Sequence, residues 1–220
     1  NGRDAALLAK TADEIRKATG ATVHEVAGDV SLKATQDALL AACRAPDILI
    51  NNNGGPPPKD FRALDRDAIL SGVVQNMVTP IELIQRVIDG MIERKFGRVV
   101  AVASTAGVKG YGYVSAYCAA KHAVVGLVRS LAIETARTGV TVNAVCPGYT
   151  ETDIVRESID RIVARTGRSA EEARAELTKG NPQGRLITPD EVANAVVWLC
   201  SEGASSITGQ AISVSGGEVM

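Results

Sequence analysis

Gly97-Arg98-Val99-Val100-Ala101-Val102-Ala103-Ser104 is followed, after a glycine-bearing loop, by Ser115-Ala116-Tyr117-Cys118-Ala119-Ala120-Lys121-His122-Ala123. The first stretch is an apolar β-type run that ends on a hydroxyl. The second opens a run of helix formers, through Thr138, with apolar residues at helical spacing. Thr141 to Pro147 then returns to strand character. Strand, helix and strand in that order point to an open α/β sheet. Tyr117 and Lys121 are four apart and share one face of their helix. An ammonium held near a phenol favours the phenolate and lowers its pKa from the free value of about 10. Tyr117 is therefore expected to give or take a proton near neutral pH, and Ser104, at the strand end beside it, is placed to polarise a carbonyl.

Working outward, Ala5 to Thr19 reads as an amphipathic helix stopped by Gly20. Thr22 to Val26 reads as a strand, followed by Gly28-Asp29-Val30, with Ser31 able to cap a helix from Leu32 to about Ala45. Asp47 to Asn51 is a short apolar strand whose character suits burial on both faces. Gly54-Gly55-Pro56-Pro57-Pro58-Lys59 reads as a stiff, extended connector. Arg66 to Arg94 is expected to form one helix, with Pro80 as a possible kink. Beyond Thr105 to Tyr113, a loop, Tyr111 and Tyr113 either line a pocket or close the loop. Ile154 to Thr166 and Ser169 to Lys179 read as two helices of an excursion over residues 152–187, long enough to act as a substrate lid. Its arginines, Arg156, Arg161, Arg165, Arg168 and Arg174, either belong to a solvated face or meet carrier phosphates. Thr188-Pro189-Asp190-Glu191 starts a last helix, and Ala211 to Val214 a last strand before Gly216-Gly217.

Composition narrows the function classes. The 220 residues suit one domain with a sizeable core, and 24 basic against 25 acidic side chains give no nucleic-acid surface. No secretory leader is evident, and no apolar run is expected to span a membrane. Cys43, Cys118, Cys146 and Cys200 lack metal-type spacing and read as buried free thiols of a reducing cytoplasm. With His24 and His122 as the two histidines, a zinc site is improbable.

Ser104, the Tyr117/Lys121 pair and Val142-Asn143-Ala144-Val145-Cys146-Pro147-Gly148 together resemble the short-chain dehydrogenase/reductase family, as does Asp47-Ile48-Leu49-Ile50-Asn51-Asn52-Asn53-Gly54 upstream. The resemblance runs along essentially the whole chain. It implies a Rossmann-like, doubly wound parallel sheet in a single dinucleotide-binding and catalytic domain. The N-terminal β-α-β with its Gly-rich loop would be absent from the sequence, on the order of 30 residues or more. It also implies an NAD(P)-dependent oxidoreductase in which Tyr117 is the proton donor and Lys121 its partner. Ser104 would bind the carbonyl oxygen, and Asn76, at a distortion of its helix, would hold a water beside Lys121. Asp29 and Val30 would face the adenine, Asn51 and Gly54 the ribose, and Pro147, Gly148 and Thr152 the nicotinamide carboxamide. The family usually has Ala where Asn53 stands. Arg3 favours NADP, with NAD possible. The run from Ser130 to Gly148 looks like the 3-oxoacyl thioester and polyketide ketoreductases, so a thioester-carried ketone is the leading substrate. A cyclic- or sugar-alcohol dehydrogenase and a non-catalytic binding relative are the alternatives. A homotetramer built on helices Arg66–Arg94 and Val114–Thr138 is the expected assembly.

Overall fold

Four parallel strands, β1 (Ile48–Asn51), β2 (Gly97–Val102), β3 (Val140–Pro147) and β4 (Ala211–Val214), form one sheet in the order β1-β2-β3-β4. The computed structural model describes residues 1–55 and 58–220, so Pro56 and Pro57 of the expected connector lie outside the described residues. The helices are α1 (Ala5–Thr19), α2 (Lys33–Ala42), α3 (Arg66–Val73), α4 (Thr79–Glu93), α5 (Ser115–Thr135), α6 (Asp153–Thr166), α7 (Ala170–Thr178) and α8 (Pro189–Cys200).

Alternation along β2 and β3 divides the core in two. Val99, Ala101, Val142 and Ala144 point to one face, where Ile84, Val87 and Met91 of α4 and Val124, Val125 and Val128 of α5 cover them. Val100 and Val145 point to the other and meet Val196 and Leu199 of α8, with Ile212 and Val214 of β4. Helices on both faces of a parallel sheet make the doubly wound, Rossmann-like arrangement that the sequence implies.

Several local expectations are met and several are not. α1 has the expected bounds: Asp4 accepts from the Ala6 and Leu7 N–H groups, and Gly20 ends the helix. Thr22–Val26 is not a strand. It is extended chain joined to its surroundings by one bridge, Gly2 to Ala27, and by the Asn1 amide on Val26 O and Gly28 O. A strand exists through its neighbour's hydrogen bonds, and no described strand lies alongside these residues. β1 is likewise not buried on both faces. It is the sheet's edge, with Ile48 43% and Ile50 48% exposed. Ser31 does not cap α2; its N–H and hydroxyl both go to Asp29, and Leu32 holds the cap position without a side-chain bond.

The expected Arg66–Arg94 helix is interrupted. α3 passes into a π-helical turn, Val74–Val78, before α4 begins, and Pro80 sits within the first turn of α4 rather than at a kink. α5 corrects another expectation, because its 21 residues have the length and hydropathy of a membrane span. It is nonetheless packed on the sheet through Val124, Val125 and Val128. Of the four free thiols, Cys118 and Cys146 are buried as expected, while Cys43 is exposed and Cys200 half-buried. The excursion between β3 and α8 folds as an α6–α7 hairpin around Val155, Ile159, Ala173 and Leu186. Its base is closed by Glu151 N–H on Ile187 O at 2.8 Å and Ile187 N–H on Tyr149 O at 2.9 Å. Arg156, Arg168 and Arg174 pair with Asp153, Glu176 and Glu151, as a solvated face would.

Candidate active site

The candidate residues gather at the carboxyl ends of the strands, where open α/β sheets bind their ligands. Lys121, 3% exposed, lies one turn beyond Tyr117 on α5. Its ammonium donates to Val102 O at 3.0 Å and Asn53 O at 3.3 Å, and stands 5.7 Å from the centre of the Tyr117 ring. Burial pulls its pKa down to about 8. The phenol behaves otherwise than the sequence suggested. Burial raises the Tyr117 pKa, and the neighbouring Ser104 hydroxyl offsets only part of that rise. The ammonium, 5.7 Å from the ring centre, does not reverse it. Tyr117 is thus a protonated donor at neutral pH.

Ser104 follows β2 in extended conformation. Its oxygen accepts the Ala106 N–H at 3.1 Å, and its own proton faces the Tyr117 phenol, where it favours the ionised form. Cys146, at the end of β3, is buried nearby; desolvation raises its thiol pKa, and Ser104 and Lys121 oppose that rise.

Asn76 is 1% exposed and lies within the π-helical turn. Its amide donates to Gly54 O at 2.9 Å and to Gly72 O at 3.2 Å. The helix distortion implied by the family resemblance is therefore present. Asn76 Oδ1 and both amide atoms of Asn51 are buried without partners among the described residues. Asn51, Asn53, Asn76 and Lys121 line one small internal cavity. Asn53, where the family usually has Ala, donates its amide to Gln75 O and so straps the end of β1 to the same turn. Next to it, Gly55 lies so close to Tyr117 that a Cβ would overlap the ring edge at Cδ2 and Cε2.

The remaining sequence-implied residues are more dispersed. Pro147 and Gly148 end β3, and Gly148 N–H is bonded to Val214 O at 3.0 Å. Thr152 precedes α6 without capping it, its hydroxyl directed to Thr150 O. Asp29 and Val30 stand apart on the turn before α2. Gln36 links that turn to α4 by donating to Val30 O and Glu82. His122 is exposed and bonds to Cys118 O, as a residue outside the chemistry would. Tyr113 is 73% exposed with a positive φ of 64°. Tyr111 is half-buried and bonded to Glu218, a contact across the chain that no local pattern announces.

The family model described as enoyl-(acyl carrier protein) reductase matches residues 1–218. This chain belongs to the short-chain dehydrogenase/reductase family. It is 39% identical over 173 residues to a putative ketoacyl reductase of Streptomyces coelicolor, covering 78% of this chain and 66% of that protein. It is 34% identical over 220 residues to the granaticin polyketide synthase putative ketoacyl reductase 1 of Streptomyces violaceoruber, covering 98% and 81%. Among solved structures, an actinorhodin polyketide ketoreductase with NADPH superposes with a TM-score of 0.92 at 36% identity, over 99% of this chain and 85% of that one. The match therefore spans about two thirds of the first relative's length and four fifths of the second's.

Two predictions follow from the geometry of this short-chain dehydrogenase/reductase site. Gly55→Val forces the Tyr117 ring from its place, and a displacement of that order costs about 10²-fold in turnover while the melting temperature stays near wild type. An unchanged rate would show that the ring position is not critical. Lys121 binds its proton less tightly folded, at about 8, than its ordinary 10.5, so the unfolded chain holds more protons between those values. Stability measured by urea unfolding should rise with pH across that window. The rise should be smaller in Lys121→Met.

Proposed function

We propose that this chain reduces the ketone of a 3-oxoacyl thioester to a secondary alcohol, with NADPH as the hydride donor. The observation that carries the reading is a buried, protonated Tyr117 phenol flanked by the Ser104 hydroxyl and the Lys121 ammonium. The family relatives named as ketoacyl reductases, and the NADPH of the actinorhodin ketoreductase structure, support the substrate class and the cofactor.

The residues present fit a dinucleotide. Asp29 and Val30 would meet the adenine. Arg3, near enough to favour the Asp29 carboxylate, offers the cation that a 2′-phosphate needs. Asn51, Gly54 and the Lys121 ammonium suit the ribose side, and Pro147, Gly148 and Thr152 the carboxamide. When bound, the cofactor supplies the hydride that converts the carbonyl carbon to an alcohol carbon. Tyr117 gives its phenolic proton to the oxygen as negative charge develops there, acting as general acid. Ser104 donates a hydrogen bond to the same oxygen, with its own lone pair already held by Ala106 N–H, so little reorganisation is needed. Lys121 keeps a positive charge beside the phenol after the proton leaves. The partnerless Asn76 Oδ1 and Asn51 amide border the cavity that reaches Lys121, and we assign them to a water that resupplies its proton.

The α6–α7 hairpin rises from the carboxyl end of β3 and serves in this reading as the substrate lid. Free thiols at Cys43, Cys118, Cys146 and Cys200 suit a reducing cytoplasm. Ile69 and Leu70 on α3, Val74, and Ile133 on α5 remain exposed, which favours a homotetramer formed through those helices.

Tyr117→Phe should lower turnover of acetoacetyl-coenzyme A by about 10²- to 10⁴-fold while NADPH affinity, read by fluorescence titration, stays close to wild type. Retained turnover would refute the assignment of the proton donor. Turnover of free cyclic or sugar alcohols with none of the thioester would refute the substrate class. Light scattering at micromolar concentration should give four times the mass of one chain; a monomer mass would reject the tetramer.

A further inference from the structure

One carboxylate without a part in the mechanism is held out of solvent near the C-terminus. The Glu218 side chain is 5% exposed. A tight turn brings it there. Gly216 and Gly217 have φ of +62° and +92°, and a Cβ on either would meet Asn181 or Pro182, so only glycine lets the chain double back so close to that loop. Glu218 N–H closes the turn on Ser215 O at 3.2 Å, and Val219 N–H adds a bond to Ser215 Oγ at 3.2 Å. The carboxylate then fits against Gly148 and Gly180, where a Cβ would come within 3.1 Å of its oxygens.

What it meets there is the loop between Ser104 and Tyr117. The Lys109 ammonium lies 3.0 Å from Glu218 Oε1, and the Tyr111 hydroxyl 2.7 Å from the same oxygen. The Tyr111 oxygen is also 2.6 Å from Thr105 Oγ1. A phenol has one proton. The carboxylate takes it, so Thr105 donates to the phenol oxygen, giving a chain from Thr105 through Tyr111 to Glu218. Burial and the adjacent carboxylate push the Tyr111 pKa far up and keep that proton in place. Lys109 lies 4.8 Å above the Tyr111 ring, and Tyr111 meets Tyr149 edge to face at 6.5 Å. Tyr149 is in turn close enough to Tyr117 to bear on its ionisation. The Tyr111–Tyr149 pair therefore stands at the substrate end of the sheet.

We propose that Glu218 is a positioning residue that latches the 105–113 loop to the turn after β3 and to the end of the lid, fixing the width of the substrate site. Ser104 does not depend on it. Ala103 N–H on Val145 O, Gly107 N–H on Ser104 O and Ala106 N–H on Ser104 Oγ hold the catalytic hydroxyl locally. The latch thus governs how the substrate is held and leaves the proton transfer in place, a statement that rests on the reductase reading above.

The test is a double-mutant cycle with Glu218→Ala and Tyr111→Phe, assayed with acetoacetyl-coenzyme A and NADPH. Tyr111→Phe removes one hydroxyl and keeps the ring, so it stays informative where Glu218→Ala unfolds. Each single variant is expected to raise KM for the thioester by about tenfold or more, with kcat and the KM for NADPH within about twofold. The double variant is expected to be no worse than the poorer single one, since both break the same bond. Glu218→Gln still accepts from Tyr111 but loses the ion pair, and should fall between wild type and Glu218→Ala. Amide hydrogen exchange over residues 105–113, read without substrate, should quicken in both single variants. An unmoved thioester KM, effects that multiply in the double variant, or unchanged exchange in the loop would each overturn the proposal. A wild-type protein without turnover, but with faster loop exchange in the variants, would instead fail the reductase reading and leave the latch standing.

Discussion

The Lys121 ammonium has to exist almost without water, and much of the site is arranged by how that is done. A buried cation is costly unless its protons have acceptors. Here the acceptors are Val102 O at the end of β2 and Asn53 O just past the end of β1. One side chain on α5 thereby fixes two neighbouring strand ends. The same geometry sets the chemistry. Burial holds the Tyr117 phenol in its protonated form, and the ammonium on the next turn does not overcome that.

A second constraint acts through the π-helical turn. The carbonyls of Gly72, in the last turn of α3, and of Gln75, in the π-turn, accept from the side chains of Asn76 and Asn53. Asn76 reaches on to Gly54 O, so β1's end, the turn and the lysine form one connected unit. The rigidity of that unit comes from short polar contacts between segments distant in sequence, not from the apolar cores above and below the sheet.

Much of this was legible from the residues. The β2–α5–β3 unit, the Tyr117/Lys121 face, the capped start of α8 and the stop at Gly20 depend on local spacing, and the structure has them. What could not be read depends on neighbours. Thr22–Val26 has strand composition but no adjacent strand, so it stays extended and unpaired. Ile48 and Ile50 look like core residues, yet β1 lies at the sheet edge. The direction of the Tyr117 shift turns on how deeply the phenol is buried, which no i,i+4 rule specifies. Asn53, where the family usually has Ala, proves to be a strap. Glu218 had no signal at all, because its partners, Lys109 and Tyr111, lie half a chain away.

The π-helical turn also lets its segment carry one residue more than a regular helix of the same span. An α-helix advances about 100° for each residue, so adding or removing one residue normally swings everything beyond it around the axis. The wide turn at Val74–Val78 absorbs one such step, and α4 leaves it with Leu83, Ile84, Val87 and Met91 buried. A single-residue deletion there would tighten the coil to a regular helix with that apolar stripe still in phase with the sheet, while Asn76 would lose the widened turn from which it reaches Gly54 O. The extra residue therefore serves the placement of Asn76 and not the phase of α4.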